Sequence, residues 1–271
     1  MLTITDKEFG VLADYIKVQY GIHLKKEKKS LITGRLFNVL AQKNFNSFLE
    51  YYEHVISDKT EEAAATLIEK ITTNHTFFMR EADHFYYFRD NVLPQLASSV
   101  SGRDLRIWSA GCSSGEEPYT LAMIICDFFR KEIMRWDAKV LATDISSKVL
   151  KSATSGIYDK KGLESLPSAW RNDYFKKIDD DKSVLIDKIR NEVIFRKFNL
   201  INGVFPFRRK FHVIFCRNVM IYFDAKTKAE LVEKFYEFTE PGGYLFTGHS
   251  ESLNREETRY RYVMPAVYRK E

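Results

Sequence analysis

The first seventy residues carry apolar side chains at the three- and four-residue spacing of amphipathic helices. Thr5 and Glu8 form the pattern of a capping box, which marks a helix start. The apolar positions that follow are Phe9, Leu12, Ala13, Ile16 and Tyr20. A second stripe comprises Ile32, Leu36, Val39 and Leu40, and residues 45–56 and 61–71 continue the pattern. We expect a small all-α domain of about four helices over residues 1–72.

The pattern changes after residue 100, where short runs of β-forming residues alternate with helical stretches. The predicted strands are 105–110, 139–143, 211–215 and 243–247, and the predicted helices begin near Pro118, Ser146 and Ala225. This alternation is typical of a parallel sheet with right-handed crossovers. Two further runs, 260–263 and 266–269, predict a terminal hairpin.

Residues 173–196 interrupt the alternation with short strands that lie too close together for crossover helices. The runs are Tyr174-Phe175, Val184-Leu185-Ile186 and Val193-Ile194-Phe195. We interpret this segment as a small antiparallel β insertion. The predicted architecture is an all-α domain (1–72), a linker (73–84) and a Rossmann-like α/β domain (85–271) that carries the insertion.

Composition indicates a globular protein that needs no disulfides or metals to fold. The chain has 271 residues, with 21 Phe, 15 Tyr, 12 Gly and 6 Pro, which excludes a disordered or collagen-like chain. Its three cysteines form no C-x-x-C pattern, so we expect neither a disulfide framework nor a zinc site. The longest apolar run, 121–126, is too short to cross a bilayer, and the first residues lack a signal-peptide pattern. We expect a cytoplasmic monomer without membrane insertion.

Positive charge is concentrated in one segment of the chain. The whole sequence carries 42 Lys and Arg against 37 Asp and Glu, a net charge of +5. Residues 21–43 contain Lys25, Lys26, Lys28, Lys29, Arg35 and Lys43 against Glu27. Such a run is typical either of a solvated helix start or of a docking surface for an acidic partner. A nucleic-acid surface would add stacking aromatic residues, and this segment has only Phe37, so we favour an acidic protein helix over nucleic acid.

The turn after the first predicted strand, Ser109–Tyr119, contains Gly111 and Gly115. In a parallel sheet this turn lies at the ligand-binding edge, where glycine lets the backbone approach a nucleoside. A tight strand-to-helix turn without a ligand would use glycine in the same way. Glu116 and Glu117 stand where a dinucleotide site would need another glycine, and their carboxylates repel a pyrophosphate and attract a cation. The turn therefore favours a positively charged nucleoside such as S-adenosylmethionine.

Polar residues also follow three later strands of the predicted sheet. Asp144 ends the second strand, where a carboxylate accepts ribose hydroxyl protons or else caps the next helix. Asn199 and Leu200 are placed to bracket an adenine ring, and Arg217 and Asn218 lie just beyond the strand that follows. Because the carboxyl ends of parallel strands share one edge, we expect these residues to form one site.

Four runs of the sequence resemble the signatures of the CheR-type methyltransferases, and they occur in the same order. The runs are NHTFFMRE (74–81), WSAGCSSGEEPY (108–119), FCRNVMIYF (215–223) and GHSE (248–251). The resemblance extends from about residue 10 to the end of the chain. CheR-type enzymes methylate glutamates of bacterial chemotaxis receptors with S-adenosylmethionine. The resemblance therefore implies this activity, with S-adenosylhomocysteine as the product.

The resemblance also implies the roles of individual residues. The cofactor-binding residues would be Asn74, Thr76, Arg80, Glu117, Asp144, Asn199, Leu200, Arg217 and Asn218. Arg80 and Tyr222 would also face the substrate carboxylate as catalytic residues. Whether Glu116 or Glu117 reaches the ligand depends on the phase of the helix, and Glu117 is our prediction.

The residues alone leave other interpretations open. Taken alone, Arg80 is more typical of a surface ion pair with Glu81 or Asp83, and Tyr222 is more typical of core packing with Phe223. A methyltransferase of the same fold acting on RNA or a small molecule would share the cofactor residues. A non-catalytic receptor module that binds the nucleoside is a third alternative.

Substrate docking is expected on the all-α domain. The predicted docking residues are Lys25, Lys26, Lys28, Lys29 and Arg35, facing the cytoplasmic helical domain of a chemotaxis receptor. In some members of the resembling family, the β insertion binds a receptor-tail peptide beside a glycine-containing turn. Here the corresponding turn, 176–183, is acidic and has no glycine, so we do not expect tethering through the tail.

Overall fold

The computed structural model describes residues 2–72, 75–201 and 203–271. The chain divides into two compact units. The first comprises Met1–Asn74, Asn199–Ile201 and Tyr222–Lys228, and the second comprises His75–Phe198, Asn202–Ile221 and Ala229–Glu271. The first unit therefore takes in two short segments from late in the chain.

Four helices make up most of the first unit. They are α1 (Asp6–Tyr20), α2 (Lys29–Gln42), α3 (Phe48–Ser57) and α4 (Glu62–Ile71). The predicted capping box is present, since Thr5 Oγ1 accepts from Glu8 N and Glu8 Oε2 accepts from Thr5 N at 2.8 Å. α1 stops at Gly21, whose φ of +70° is a left-handed conformation that suits glycine. The predicted apolar stripe of α2 is buried, with Leu36 and Leu40 wholly inside.

The second unit contains two sheets. Its strands are β1 (Ile107–Ala110), β2 (Val140–Asp144), β3 (Ile157–Asp159), β4 (Phe175–Lys177), β5 (Lys182–Leu185), β6 (Val193–Lys197), β7 (Phe211–Cys216), β8 (Thr239–Thr247), β9 (Arg261–Met264) and β10 (Val267–Arg269). The larger sheet has the order β6-β2-β1-β7-β8-β10-β9. β6, β2, β1, β7 and β8 are parallel, and β10 and β9 are antiparallel. The predicted α/β fold with a terminal hairpin is confirmed.

Further helices precede β1 or lie between the strands. They are α5 (Ala82–Tyr87), α6 (Leu93–Ser99), α7 (Glu116–Phe129), α8 (Ser147–Ser155), α9 (Ser168–Tyr174), α10 (Asp187–Arg190) and α11 (Ala225–Glu237), with a π-helical turn between α5 and α6. The rings of Phe215 and Phe246 stack at 4.2 Å between centroids, and Trp108 is fully buried. No helix in the described part of the chain is both long and apolar enough to span a membrane.

The smaller sheet differs from the predicted β insertion. Its order is β3-β5-β4, and both pairings are antiparallel. β3 lies before the predicted segment 173–196. The predicted insertion strand Val193–Phe195 belongs instead to β6, which pairs parallel with β2 from Val140 to Asp144. That part of the prediction was wrong, because a short apolar run does not reveal the direction of its partner strand.

Candidate active site

The loop between β1 and α7 needs glycine at two positions. Gly111 has a φ of +83° and Gly115 a φ of +96°, both in the left-handed region. A Cβ atom at Gly111 would lie 2.4 Å from Val219 Cγ2, and one at Gly115 would lie 2.9 Å from the Cβ atom of Ala153. The backbone of this loop is therefore packed closely against the loop after β7 and against α8.

Asp144, at the carboxyl end of β2, holds this glycine loop in place. Its Oδ2 accepts from Ser113 N at 2.9 Å, and its Oδ1 accepts from Ser146 N at 2.9 Å. Burial raises the pKa of Asp144, and the two amide donors oppose that rise. The helix that follows is capped by Ser146, whose hydroxyl accepts from Val149 N. The alternative interpretation of Asp144 as the N-cap is therefore wrong.

The two glutamates at the start of α7 have different partners. Glu117 Oε1 accepts from the Ser109 hydroxyl at 2.7 Å, and its Oε2 lies 3.0 Å from Arg217 Nη1. Glu116 accepts from the Ser114 hydroxyl at 2.8 and 3.0 Å. Burial raises the pKa of both carboxyl groups, and for Glu117 the charge of Arg217 opposes the rise. The phase of the helix thus places Glu117, the predicted residue, beside Arg217.

Arg217 is the centre of a buried ionic cluster. Its side chain is 2% exposed, and its Nη2 lies 3.0 Å from Glu81 Oε2 and also donates to the carbonyl of Arg80. Its guanidinium carbon lies 5.1 Å from the ring centre of Phe85. The Nε atom is buried and has no hydrogen-bond partner among the described residues. Arg217 therefore joins the start of α5 to the start of α7 through Glu81 and Glu117.

Glu81 was not predicted as a site residue, and it is central to this cluster. Burial acts to raise its pKa, but the charge and hydrogen bond of Arg217, together with hydrogen bonds from Asn218 and the backbone of His249, outweigh burial and leave the pKa lowered. Its Oε1 also lies 3.3 Å from Asn218 Nδ2. The run 74–81 was the available signal, but a sequence separation of 136 residues hid the pairing with Arg217.

Glu251 is a second residue that sequence reasoning missed. It is 1% exposed, and its Oε2 accepts from the backbone N–H groups of Asn218 and Gly248, each at 2.6 Å. Its Oε1 accepts from Ile221 N at 3.0 Å. Asn218 has a φ of +60°, a left-handed backbone conformation that costs free energy unless the surrounding contacts fix the loop. Glu251 therefore fixes the loop that carries Arg217 and Asn218, and the run 248–251 was its only sequence signal.

A cavity of about 680 Å³ lies within the second unit. Its walls include Thr76, Ser114, Glu116 and Tyr158, together with three lysines. This volume is in the range of small-molecule sites. Of the predicted cofactor residues, Thr76 lines the cavity, and of the two glutamates considered from sequence it is Glu116, rather than the predicted Glu117, that is in its lining.

Arg80 does not form either of the ion pairs considered from sequence. Its Nη1 donates to the His75 carbonyl at 2.5 Å, and the residue is half-buried. Glu81 pairs with Arg217, and Asp83 pairs with His249 at 3.1 Å. Because a guanidinium group has five N–H donors, Arg80 has others besides the one that bonds to the His75 carbonyl.

Three predicted site residues belong to the first unit. Asn199 Nδ2 donates to the Gln19 carbonyl at 2.8 Å, and Leu200 is buried. Tyr222 is half-buried, and its carbonyl accepts from His23 N at 2.8 Å. Asn74 lies outside the described residues.

The predicted docking residues fall into two groups. Lys25, Lys26 and Lys28 are exposed at the turn before α2. Lys29 Nζ lies 2.5 Å from Asp6 Oδ1, and Arg35 Nη1 donates to the Ile71 carbonyl at 2.6 Å. The last two therefore also have structural roles within the first unit.

Two family models together match most of the chain. "CheR methyltransferase, all-alpha domain" matches residues 7–72, and "CheR methyltransferase, SAM binding domain" matches residues 74–268. The chain belongs to the CheR methyltransferase family. The resemblance seen in the sequence is thereby confirmed, as is S-adenosylmethionine as the methyl donor.

Named relatives place this CheR methyltransferase in chemotaxis. A chemotaxis protein methyltransferase of Borreliella burgdorferi is 40% identical over 272 residues, covering 99% of this chain and 96% of the relative. A probable chemotaxis protein methyltransferase of Rhizobium etli is 36% identical over 263 residues, covering 92% and 97%. The chemotaxis protein methyltransferase of Escherichia coli K12 is 34% identical over 270 residues, covering 98% and 92%. The protein is thus an S-adenosylmethionine-dependent methyltransferase of chemotaxis.

The side chains of this site fit a positively charged methyl donor. Arg217 balances Glu117 and Glu81, whereas Glu116 is held by a serine hydroxyl and Asp144 by backbone amides, all of which are neutral donors. Burial makes ionised carboxylates costly, and a nearby cation relieves that cost. S-adenosylmethionine carries a sulfonium and an ammonium group, so its charge would complement the carboxylates of Glu116 and Asp144.

Proposed function

We propose that this CheR methyltransferase transfers the methyl group of S-adenosylmethionine to glutamate side chains of chemotaxis receptors, forming methyl esters for sensory adaptation. The observation that carries the proposal is the pair of carboxylates at Glu116 and Asp144, which are largely removed from water, are held by neutral donors and therefore suit a cationic donor. The names of the relatives support the chemotaxis setting.

The donor side of the site is proposed to use the family's residues at the matching positions. They are Asn74, Thr76, Arg80, Glu117, Asp144, Asn199, Leu200, Arg217 and Asn218. Bound S-adenosylmethionine would supply an electrophilic methyl group next to a positive sulfur. Asp144 would accept from the ribose hydroxyls, and Glu117, kept in place by Ser109 and Arg217, would face the positive end.

The acceptor side requires orientation rather than proton removal. A glutamate carboxyl with an ordinary pKa of about 4.3 is ionised at neutral pH, so no general base is needed. Arg80 and Tyr222 are proposed to hold one carboxylate oxygen while the other faces the methyl group. The protein would also exclude water, because hydration stabilises the separated charges more than the transition state. Tyr222→Phe should therefore slow turnover by removing a hydrogen bond without changing the ring.

The exposed lysines before α2 are proposed to dock an acidic receptor helix. Lys25, Lys26 and Lys28 lie together and are exposed, so they offer positive charge to solvent. Charge complementarity of this kind raises the association rate and falls with added salt. The variant Lys26→Glu/Lys28→Glu should raise KM for the receptor severalfold while leaving KM for S-adenosylmethionine unchanged. Lys59→Glu/Lys70→Glu, at two exposed positions of the same unit, is the matched control because it changes the charge by the same amount.

The deciding experiment uses the purified enzyme, a cytoplasmic receptor fragment and donor labelled in its methyl group. We expect more than one equivalent of label in the receptor, released by mild base as an ester, and mapped to glutamates by mass spectrometry. Base-stable label would indicate another acceptor group. Product limited to one equivalent, or no label in the receptor while donor binding is normal, would refute the proposed activity.

A further inference from the structure

The start of α5 and the loop after β8 bring a carboxylate and two imidazoles together. Glu81, His84 and His249 each offer one ligand atom, and these atoms all lie within 4.8 Å of one another. No spacing pattern in the sequence predicts this cluster, because the two segments are more than 160 residues apart in the chain. Glu81 also pairs with Arg217, whereas no role has been assigned above to the rings of His84 and His249.

The ring of His84 is arranged as metal-binding histidines usually are. It is fully buried, and its Nε2 lies 3.4 Å from the Pro265 carbonyl. A carbonyl oxygen only accepts, so Nε2 carries the hydrogen and the neutral ring has its lone pair on Nδ1. Histidine ligands almost always donate their second N–H to a carbonyl or carboxylate in this way.

The other ring nitrogen of His84 faces a carboxylate without a hydrogen bond between them. Nδ1 is buried without a hydrogen-bond partner in the described part of the chain, and it lies 3.6 Å from Glu81 Oε2. A lone pair opposite a carboxylate oxygen is unfavourable unless a cation or a proton separates them. Two ligands of a tetrahedral zinc ion lie roughly 3.4 Å apart, given metal–ligand distances of about 2.0–2.2 Å. The observed separation is close to that value.

His249 closes the cluster from the solvent side. Its ring centre lies 4.7 Å from that of His84, and its side chain is 46% exposed. Its Nε2 lies 3.1 Å from Asp83 Oδ2, so a carboxylate stands beside this histidine too. Because this side chain is exposed, its ring can move by the roughly 1 Å that metal binding requires. An ion could reach the cluster from the solvent on this side.

We propose that Glu81, His84 and His249 form a binding site for one divalent transition-metal ion of the zinc class. Two imidazoles and one carboxylate suit Zn²⁺, Co²⁺ or Ni²⁺, whereas Mg²⁺ and Ca²⁺ prefer oxygen ligands. The fourth position would be open to water. The bound ion would link the segment 81–84 to the loop 248–251, and both of these contact the loop of Arg217 and Asn218.

The test measures metal binding by the full-length, untagged protein after treatment with a chelator and removal of that chelator. Titration calorimetry with ZnCl₂ should show one site per chain, and Co²⁺ should give the visible absorption of a low-coordinate nitrogen and oxygen site. Saturating Zn²⁺ should raise the midpoint of thermal unfolding by roughly 5 °C, because it binds the folded state. MgCl₂ and CaCl₂ should give neither effect.

Variants separate this site from adventitious binding. His249→Ala, at an exposed position, should weaken Zn²⁺ binding at least tenfold and abolish the thermal shift, and His84→Gln should do the same. His23→Ala, an exposed histidine of the first unit, should bind as wild type does. Absence of one-to-one binding, or equal affinity in His249→Ala and wild type, would overturn the proposal even if His84→Gln does not fold.

Discussion

Replacement of Glu251 tests how the loop of Arg217 and Asn218 is held. Its buried carboxylate accepts from at least three backbone N–H groups, those of Asn218, Gly248 and Ile221. In Glu251→Gln the amide oxygen can replace one carboxylate oxygen, but its NH₂ group then meets a backbone N–H group. Because a hydrogen bond to a charged acceptor contributes roughly 1.5–3 kcal/mol, we expect a loss of about 2 kcal/mol in the free energy of unfolding.

Glu251→Ala should be more damaging, because it leaves three N–H groups unpaired where little water reaches. We expect a loss of roughly 4 kcal/mol in the free energy of unfolding. This is less than the full cost of three unpaired buried N–H groups, because water should partly hydrate them. The assay is urea denaturation, paired with calorimetric titration of S-adenosylhomocysteine. Affinity for this ligand should fall in the same order as stability, because Arg217 and Asn218 are the residues displaced.

Glu256→Gln is the matched control for Glu251, since it removes the charge of an exposed glutamate from the same segment. It should change stability by no more than about 0.5 kcal/mol. The reasoning would be refuted if Glu251→Gln were as stable as Glu256→Gln and bound S-adenosylhomocysteine with wild-type affinity.

Three further predictions concern the glycine loop, the ionic cluster and an acidic cap. Gly111→Ala should cost about 2–4 kcal/mol by urea denaturation, from its positive φ and from contact with Val219, and the added change Val219→Ala should recover part of that loss. Arg217→Met should cost about 3–5 kcal/mol in the same assay, because it leaves two glutamates without their buried partner; a loss under about 1 kcal/mol would contradict the cluster. Asp58 accepts from the Thr60 hydroxyl and from backbone N–H groups, which lower its pKa from 3.8 to about 2, so the folded state binds this proton more weakly than the unfolded chain. The ionised Asp58 therefore stabilises the folded state above about pH 4, and this stabilisation is lost as the pH falls toward 2. In Asp58→Asn the midpoint of urea denaturation should depend less on pH over that range.

Local signals in the sequence predicted the elements that depend on local chemistry. The capping box at Thr5 and Glu8 fixes the start of α1, and the glycine turn after β1 fixes the start of α7. The rule that carboxyl ends of parallel strands share an edge placed Asp144 and Glu117 at the same loop. The first two predictions rest on residues within one turn, and the third rests on a general rule of parallel sheets.

Long-range pairing was not predictable in the same way. The strand at Val193 has the same apolar pattern in a parallel or an antiparallel sheet, and its direction is set by β2, more than 40 residues earlier. The partners of Arg217 are set by the fold, since Glu81 and Glu117 lie 136 and 100 residues away from it. In the sequence, Glu251 cannot be distinguished from a surface glutamate, because the backbone N–H groups that bind its carboxylate are brought together only by the fold.

The make-up of the first unit has a consequence for dissecting this protein. Lys17 of α1 pairs with Asp224 at 2.8 Å, Asn199 donates to the carbonyl of Gln19, and Ile22 bridges to Phe223. An excised fragment ending near residue 72 would lack all of these contacts, and would leave apolar and charged groups of α1 unsatisfied. The helical part is therefore not a detachable module. Gene fusions or truncations that treat it as one should yield a less stable, aggregation-prone product than the intact polypeptide.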